Sequence, residues 1–348
     1  MGHYLSACAL MYAGAGDTAL KAKADAIVAE LAKCQDALPS QGYNEGYLPA
    51  FPESWFDRVD NQQPVWAPWY TMHKIMAGLL DMYLYCGNTQ ALDALNKLAS
   101  WVKFRTDRLS YDQMQASLNN EFGGMGEVLA NLYAVTGNPD HLTVSQRFEK
   151  KWFVDPLAQG IDNLKGLHSN THVPQVIAAA REYEFTGEQR YQDIASFFWH
   201  QVVEARSYAT GGSSNYEYWR TDPYVLASEL SDNSQETCCT YNMLKLTKHL
   251  LGWYGEAGYG DYYERALLNH ILVVQYPGTS LSQFAGMNSY YTSLAGGHWK
   301  LFHRPYDDFW CCTGTGMEGP CEIRGKHLLP RFERPIRQPV HCVRAELA

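Results

Sequence analysis

The chain has 348 residues, a formal net charge of −9 and 46% hydrophobic residues, enough for one large domain or two ordinary ones. No apolar run approaches the roughly 20 residues of a membrane span, and no basic stripe is present to neutralise phosphates, so the sequence predicts neither a membrane nor a nucleic-acid partner. The aromatic load is high, with 10 Trp, 24 Tyr and 13 Phe. Most of these rings are expected in the core, but flat faces with polar tips also suit sugar rings.

The N-terminal stretch MGHYLSACALMYAGAGD lacks a basic region before its apolar run and reads as a helix rather than a signal peptide. It ends in the first copy of a recurring pattern, a tyrosine followed four residues later by glycine. The copies are Tyr12/Gly16, Tyr83/Gly87, Tyr133/Gly137, Tyr183/Gly187 and Tyr254/Gly258. Each closes an apolar-periodic run, and another helical run follows. Glycine just past a helix takes the left-handed conformation at little steric cost, so each copy predicts a helix, a tight turn and a helix. The tyrosines fall 71, 50, 50 and 71 residues apart, too irregular for a solenoid of short identical units. Five such hairpins with long aromatic inserts suit a closed, mainly α toroid. A full toroid of six pairs needs one more, which implies that the first helices lie upstream of this sequence.

The inserts at 38–69 and 207–235 are dense in Pro, Gly and aromatics and are expected to gather at one rim as pocket-forming loops. From about Asn269, HILVVQY and QFAGMNSYYTSL are β-branched or aromatic and predict a few strands near the C-terminus. Residues 319–348 differ from the rest, with six Lys/Arg against three Glu, four Pro and no Asp. They read as an atypical basic tail, either disordered or out of frame, after a domain spanning 1–318.

Two vicinal cysteine pairs stand out, Cys238–Cys239 in SQETCCTYN and Cys311–Cys312 in FWCCTGTG. Adjacent cysteines do not readily pair with each other, because a disulfide wants Cα atoms about 5.5–6 Å apart. Three readings follow from the residues: small buried hydrophobes, a disulfide between the pairs, or thiolates that with a carboxylate hold zinc. The single cysteines Cys8, Cys34 and Cys86 fit the first.

QETCCTYNMLKLTKHLL and DDFWCCTGTGMEG resemble the glycoside hydrolase family 127 group, the β-L-arabinofuranosidases, and its relative family 146. GHYLSA, VWAPWYTMHKIMAGLLDMY, EFGGMGEVLANLYAVTGNP and LHSNTHVPQVIAAAREYEFTG resemble the same group, so the likeness runs from about residue 2 to 318. The resemblance implies an (α/α)6 barrel followed by β-sandwich domains, before which this chain would stop. It implies one zinc ion held by Glu236, Cys238, Cys311 and Cys312, with Cys311 also the nucleophile. It implies a glutamate acid/base, for which Glu217 in GGSSNYEYW is the candidate. Tyr216 stands where the family has glycine, and the spacing to Glu236 is longer; Glu229 is the rival. His73 and His172 each open a helix at the rim of a predicted hairpin and are candidate sugar contacts; the resemblance supports His172 most, together with Tyr290, preferred to Tyr291. Glu121 and Glu127 flank FGGMG, and Glu127 reads as a helix-opening carboxylate.

The implied reaction is retaining hydrolysis of β-L-arabinofuranosides in a plant-type arabinose-containing glycan or glycopeptide. A different class of reading is a non-catalytic carbohydrate-binding or structural fragment with a structural zinc. A third is a metal-free α/α-barrel enzyme such as an unsaturated uronyl hydrolase. Thiol ligands favour a reducing compartment, hence the cytoplasm over the periplasm or secretion, although an export signal would lie upstream.

Overall fold

The computed structural model describes residues 1–276, 286–304 and 306–324. Helices α1 (Gly2–Ala15) and α2 (Thr18–Ala37) form the first hairpin. A loop carrying the short α3 (Ser54–Asp60) leads to the second, α4 (Pro68–Cys86) and α5 (Thr89–Thr106). The short α6 (Tyr111–Ser117) precedes α7 (Met125–Thr136) and α8 (Pro139–Arg147). The short α9 (Lys151–Ala158) precedes α10 (Ser169–Thr186) and α11 (Gln189–Val203). The long loop from 204 to 236 then gives way to α12 (Thr237–Tyr254) and α13 (Ala257–Ala266), and α14 (Cys311–Arg324) comes last.

Four of the five tyrosine–glycine turns form as the spacing predicts. Gly16, Gly87, Gly137 and Gly187 are left-handed, with φ between 68° and 71°. Each donates its amide to the carbonyl of the tyrosine four residues before it. The spacing is therefore that of one hydrogen bond closing the last helical turn. The next residue opens the partner helix, and Asp17, Asn88 and Asn138 cap it with their side chains. The fifth turn departs from the expected pair. Gly255, not Gly258, is left-handed and bonds to Leu251, while Gly258 lies in the first turn of α13. The adjacent Gly255–Glu256 is the step that matches the other copies, because a glycine followed at once by an N-cap residue makes the turn.

Each hairpin runs in and back, so its first helix is inner and its second outer. The inner helices α1, α4, α7, α10, α12 and α14 each pack on the next, and α14 packs back on α1. The sixth inner place, which the repeat count leaves open, is filled from the C-terminal side by the helix that begins at Cys311. Among the described residues no outer helix backs α14; the π-helical turn Leu267–Ile271 after α13 touches it instead. Fewer of the aromatic residues are core than expected: many are only partly buried, and Trp66, Tyr218 and Trp299 are among those exposed. Trp69, Phe56 and Trp101 pack ring to ring at 4.5–6.2 Å and are at most 2% exposed. Burying each such ring contributes about 1.5–3 kcal/mol.

The C-terminal β pairing is sparse. HILVVQY begins as the π-helical extension of α13, because its buried residues His270 and Ile271 continue that helix's buried face. Pairing follows as single bridges, Gln275 with Asn288, Ser289 with Phe302 and Glu236 with Tyr291. Residues 319–324 continue α14, whereas 325–348, most of the expected tail, and 283–285 of the second strand segment lie outside the described residues. No helix among the described residues is long and apolar enough to cross a membrane.

Candidate metal and catalytic centre

The inner helices are parallel, so their N-termini converge at one mouth of the ring, and the partial positive charge there favours anions. Glu236 occupies the N-cap position of α12, with extended backbone (φ −63°, ψ 130°), and Cys238 follows in the first turn. Cys311 and Cys312 open α14. Cys238 Sγ lies 3.2 Å from Cys312 Sγ, and Cys312 Sγ lies 4.0 Å from both Cys311 Sγ and Glu236 Oε1. One donor atom from each of the four residues lies within 4.8 Å of every other. The helical turn sends the neighbour Cys239 the opposite way, into the core beside Ser213 Oγ at 3.4 Å, where burial pushes its thiol up to about 12.

Four acidic groups in one buried spot cannot all ionise unaided. Burial, then the nearby Cys311, Glu217 and Glu121, raises the Glu236 carboxyl well above its ordinary range. Burial likewise raises Cys238 and Cys312. Cys311 alone is pulled down, by hydrogen bonding from Cys238, Cys312 and Tyr290 and by the Lys74 charge. Glu236 Oε2 and the Tyr70 hydroxyl are buried without a hydrogen-bond partner. A divalent cation would supply the missing counter-charge and a partner for the carboxylate oxygen, so this cluster could hold a metal ion.

Above the thiols, the loop carrying Glu217 is tied to the start of α10. Ser169 donates its amide (2.7 Å) and its hydroxyl (2.8 Å) to the Glu217 carbonyl. Tyr216 and Glu217 are both left-handed (φ 47° and 69°), the region glycine enters without steric cost. The Glu217 carboxylate is half-buried between two partners. Tyr290 donates its hydroxyl to Oε1, and the Tyr290 hydroxyl oxygen lies 3.4 Å from Cys311 Sγ. His168 Nε2 stands 3.4 Å from Oε2. Hydrogen bonding to His168 and Tyr290 lowers the Glu217 pKa despite partial burial. Burial pulls His168 down, but the Glu217 and Glu121 carboxylates outweigh it and raise its pKa. Thr237 holds the Tyr290 carbonyl through its amide and its hydroxyl, both at 3.0 Å, which seats the tyrosine over the site. The Tyr291 ring packs on that of Tyr290 at 4.6 Å.

The structure thus brings Glu217, Glu236, Cys238, Tyr290, Cys311 and Cys312 together. The two histidines singled out from the sequence sit differently. His172 donates Nδ1 to the His168 carbonyl (2.7 Å) and packs on Phe153 (4.5 Å); burial pushes its pKa down to about 4. The histidine that meets Glu217 is His168, four residues earlier and not singled out. Its signal was positional: it is the N-cap of α10, accepting from the Thr171 amide at 3.1 Å, and therefore sits at the mouth. His73 is buried beneath Gly123, where a Cβ would lie 2.4 Å from its ring. It heads a cavity of about 380 Å³ lined by all six inner helices, including His3, Glu127, Lys245 and Glu318. Glu127 is paired with Lys245 at 2.7 Å, whereas burial raises Glu121 beside His168 and Cys311. The rival Glu229 is buried beneath the Glu217 loop, where it accepts from Asn215 Nδ2 at 2.9 Å.

Residues 1–325 match the family model described as beta-L-arabinofuranosidase, GH127 catalytic domain. No curated protein matches the sequence. Among solved structures, a glycoside hydrolase aligns over 93% of this chain and 54% of its own, at 18% identity and TM-score 0.70. A GH127 beta-L-arabinofuranosidase from Geobacillus stearothermophilus T6 aligns over 93% and 55%, at 17% identity and TM-score 0.69. The chain therefore spans about half the length of these two proteins. A mutant unsaturated glucuronyl hydrolase from Streptococcus agalactiae aligns over 93% and 79%, at 13% identity and TM-score 0.55. At these identities the likeness is one of fold, an α/α barrel.

Proposed function

Since the chain belongs to the GH127 beta-L-arabinofuranosidase family, whose catalytic-domain model matches residues 1–325, we propose that it is a retaining glycosidase releasing L-arabinose from β-L-arabinofuranosides. The observation that carries this reading is the Tyr290 hydroxyl, which bridges a carboxylate, Glu217, and a sulfur, Cys311. Retaining hydrolases place a nucleophile and an acid/base on the order of 5 Å apart, and a pair that shares one hydroxyl stands close enough to act on the same carbon. Glu236, Cys238, Cys311 and Cys312 would hold zinc, whose soft sulfur-rich preference fits three thiols and one carboxylate. Bound there, zinc would keep the Cys311 sulfur ionised.

The chain's own groups then act in two displacements. Cys311 Sγ attacks the anomeric carbon as the glycosidic C–O bond breaks, and Glu217 gives its proton to the leaving oxygen. His168, at Oε2, is placed to supply that proton. The sugar is now bonded to sulfur. Glu217 takes a proton from water, the water oxygen attacks the anomeric carbon, and the C–S bond breaks to return the thiolate. Two inversions give net retention. A plant-wall or hydroxyproline-linked arabinoside would present this linkage.

The test is hydrolysis of a chromogenic β-L-arabinofuranoside by zinc-loaded protein beside Glu217→Gln. The variant should fall by about 10²–10⁴-fold, the usual reach of a positioned acid/base. A folded, zinc-loaded wild-type protein without turnover would sink the enzymatic reading and leave a structural metal site. Full activity without bound metal would point instead to a metal-free α/α-barrel hydrolase.

A further inference from the structure

Two buried residues beside the centre hold a backbone conformation that a side chain disfavours. Ser214 (φ 79°) lies three residues before Glu217, and Gln235 (φ 59°) lies immediately before Glu236. Neither is glycine, although left-handed backbone is costly for a residue with a Cβ and persists only where the surroundings enforce it. The two positions are bonded to each other. The Gln235 amide donates to the Ser214 carbonyl at 3.0 Å, and the Glu236 amide donates to Ser214 Oγ at 3.3 Å. The loop carrying Glu217 is thereby fastened to the start of α12, which carries Glu236 and Cys238.

The Gln235 side chain adds a third segment. It is fully buried, and both ends of its carboxamide are used. Thr210 donates its hydroxyl to Oε1, and Nε2 donates to the Thr292 carbonyl at 3.1 Å. Thr210 belongs to the loop that leads to Glu217, and Thr292 lies two residues after Tyr290. Gly212 makes the space, since a Cβ there would come within 2.5 Å of Gln235 Oε1. The carboxamide therefore spans the segment that presents Glu217 and the segment that presents Tyr290. It suits this place because it offers a donor and an acceptor end with no charge to bury.

We propose that Gln235 is a positioning residue that sets Glu217 and Tyr290 in register over Cys311. The proposal rests on the hydrolase reading above and adds to it a residue outside the four clustered donors. Its action is geometric, because a misplacement of about 1 Å at the reacting groups can cost on the order of 10²-fold in rate.

The experiment uses zinc-loaded Gln235→Met, which keeps the length of the side chain but has no amide to bond Thr210 and Thr292. Gln235→Gly, at ease in left-handed backbone, is the second variant should the first not fold. Assays are run well below each unfolding midpoint, where a merely structural residue leaves kcat unchanged. On a chromogenic β-L-arabinofuranoside, kcat should fall about 10–100-fold while KM stays within about twofold. Zinc content by elemental analysis should equal that of wild type. A crystal structure of the variant should show the Tyr290 hydroxyl no longer in reach of both Glu217 and Cys311. Wild-type kcat in a folded variant, or an intact Tyr290 bridge in its structure, would overturn the proposal. A wild-type protein without turnover, whose Tyr290 bridge is nonetheless lost in the variant, would keep the positioning role and reject the hydrolase.

Discussion

Cys311 and its vicinal partner show how much chemistry one bond rotation decides. Cys311 is partly buried at the mouth and meets Tyr290, while Cys312 is buried against Cys238. Cys311→Ser should abolish turnover, at least 10³-fold, because an alkoxyl is far less ionised than a thiol near neutral pH. The remaining Glu236, Cys238 and Cys312 should retain weakened zinc; elemental analysis beside the assay separates the two losses. At His73 the packing is steric. Gly123 has φ 54° and no room for a methyl group. Gly123→Ala should destabilise the fold by about 2–4 kcal/mol in denaturant unfolding, from overpacking and an unfavourable backbone together.

Helices carry two further tests. The fifth turn places its left-handed residue at Gly255. Gly255→Ala should cost about 1 kcal/mol, whereas Gly258→Ala, exposed in a helix with open space around it, should be neutral or stabilising by up to about 1 kcal/mol. Within α10, burial pushes Glu182 up to about 8, with Ser145 Oγ donating to it at 2.9 Å. Its folded pKa exceeds its unfolded value of about 4.5. The protonated form therefore contributes stability that is full below pH 4.5 and is lost as pH rises through 8. Glu182→Gln should flatten this fall and be more stable than wild type at pH 8, by on the order of a few kcal/mol in unfolding curves across pH 5–8. α10 itself was legible from its apolar period and its Tyr183–Gly187 stop. The side of the helix start that meets Glu217 was not, because His168 lies before the helix and His172 within it.

At the scale of the molecule, α14 both closes the ring and delivers two of the four clustered donors. It is seated by His3, whose Nδ1 lies 2.6 Å from Glu318, and by Tyr241, which donates to the same carboxylate. Gly314 of α14 lies against the His3 ring, where a Cβ would come within 2.2 Å. Gly314→Ala should therefore unseat α14, and the measurable result is weaker zinc binding together with a lower unfolding midpoint. Chelation of wild-type protein should lower the midpoint as well, since the cluster ties α12 to α14 across the ring.

The sequence by itself determined the hairpins, because a helix stop is a local event: a glycine amide reaching a carbonyl four residues back, followed by a capping side chain. Through its resemblance to the family it also pointed to Glu236, Cys238, Cys311 and Cys312 as one candidate set, which the structure brings together at two helix starts. Only the tertiary structure decided that α14 is the sixth inner helix and that Glu217 meets His168. It alone decided that Cys239 points away from the cluster. Periodicity says which face of a helix is apolar, but not which neighbour covers it. Donors from segments more than seventy residues apart share a site only because closing the ring brings those helix starts to one mouth.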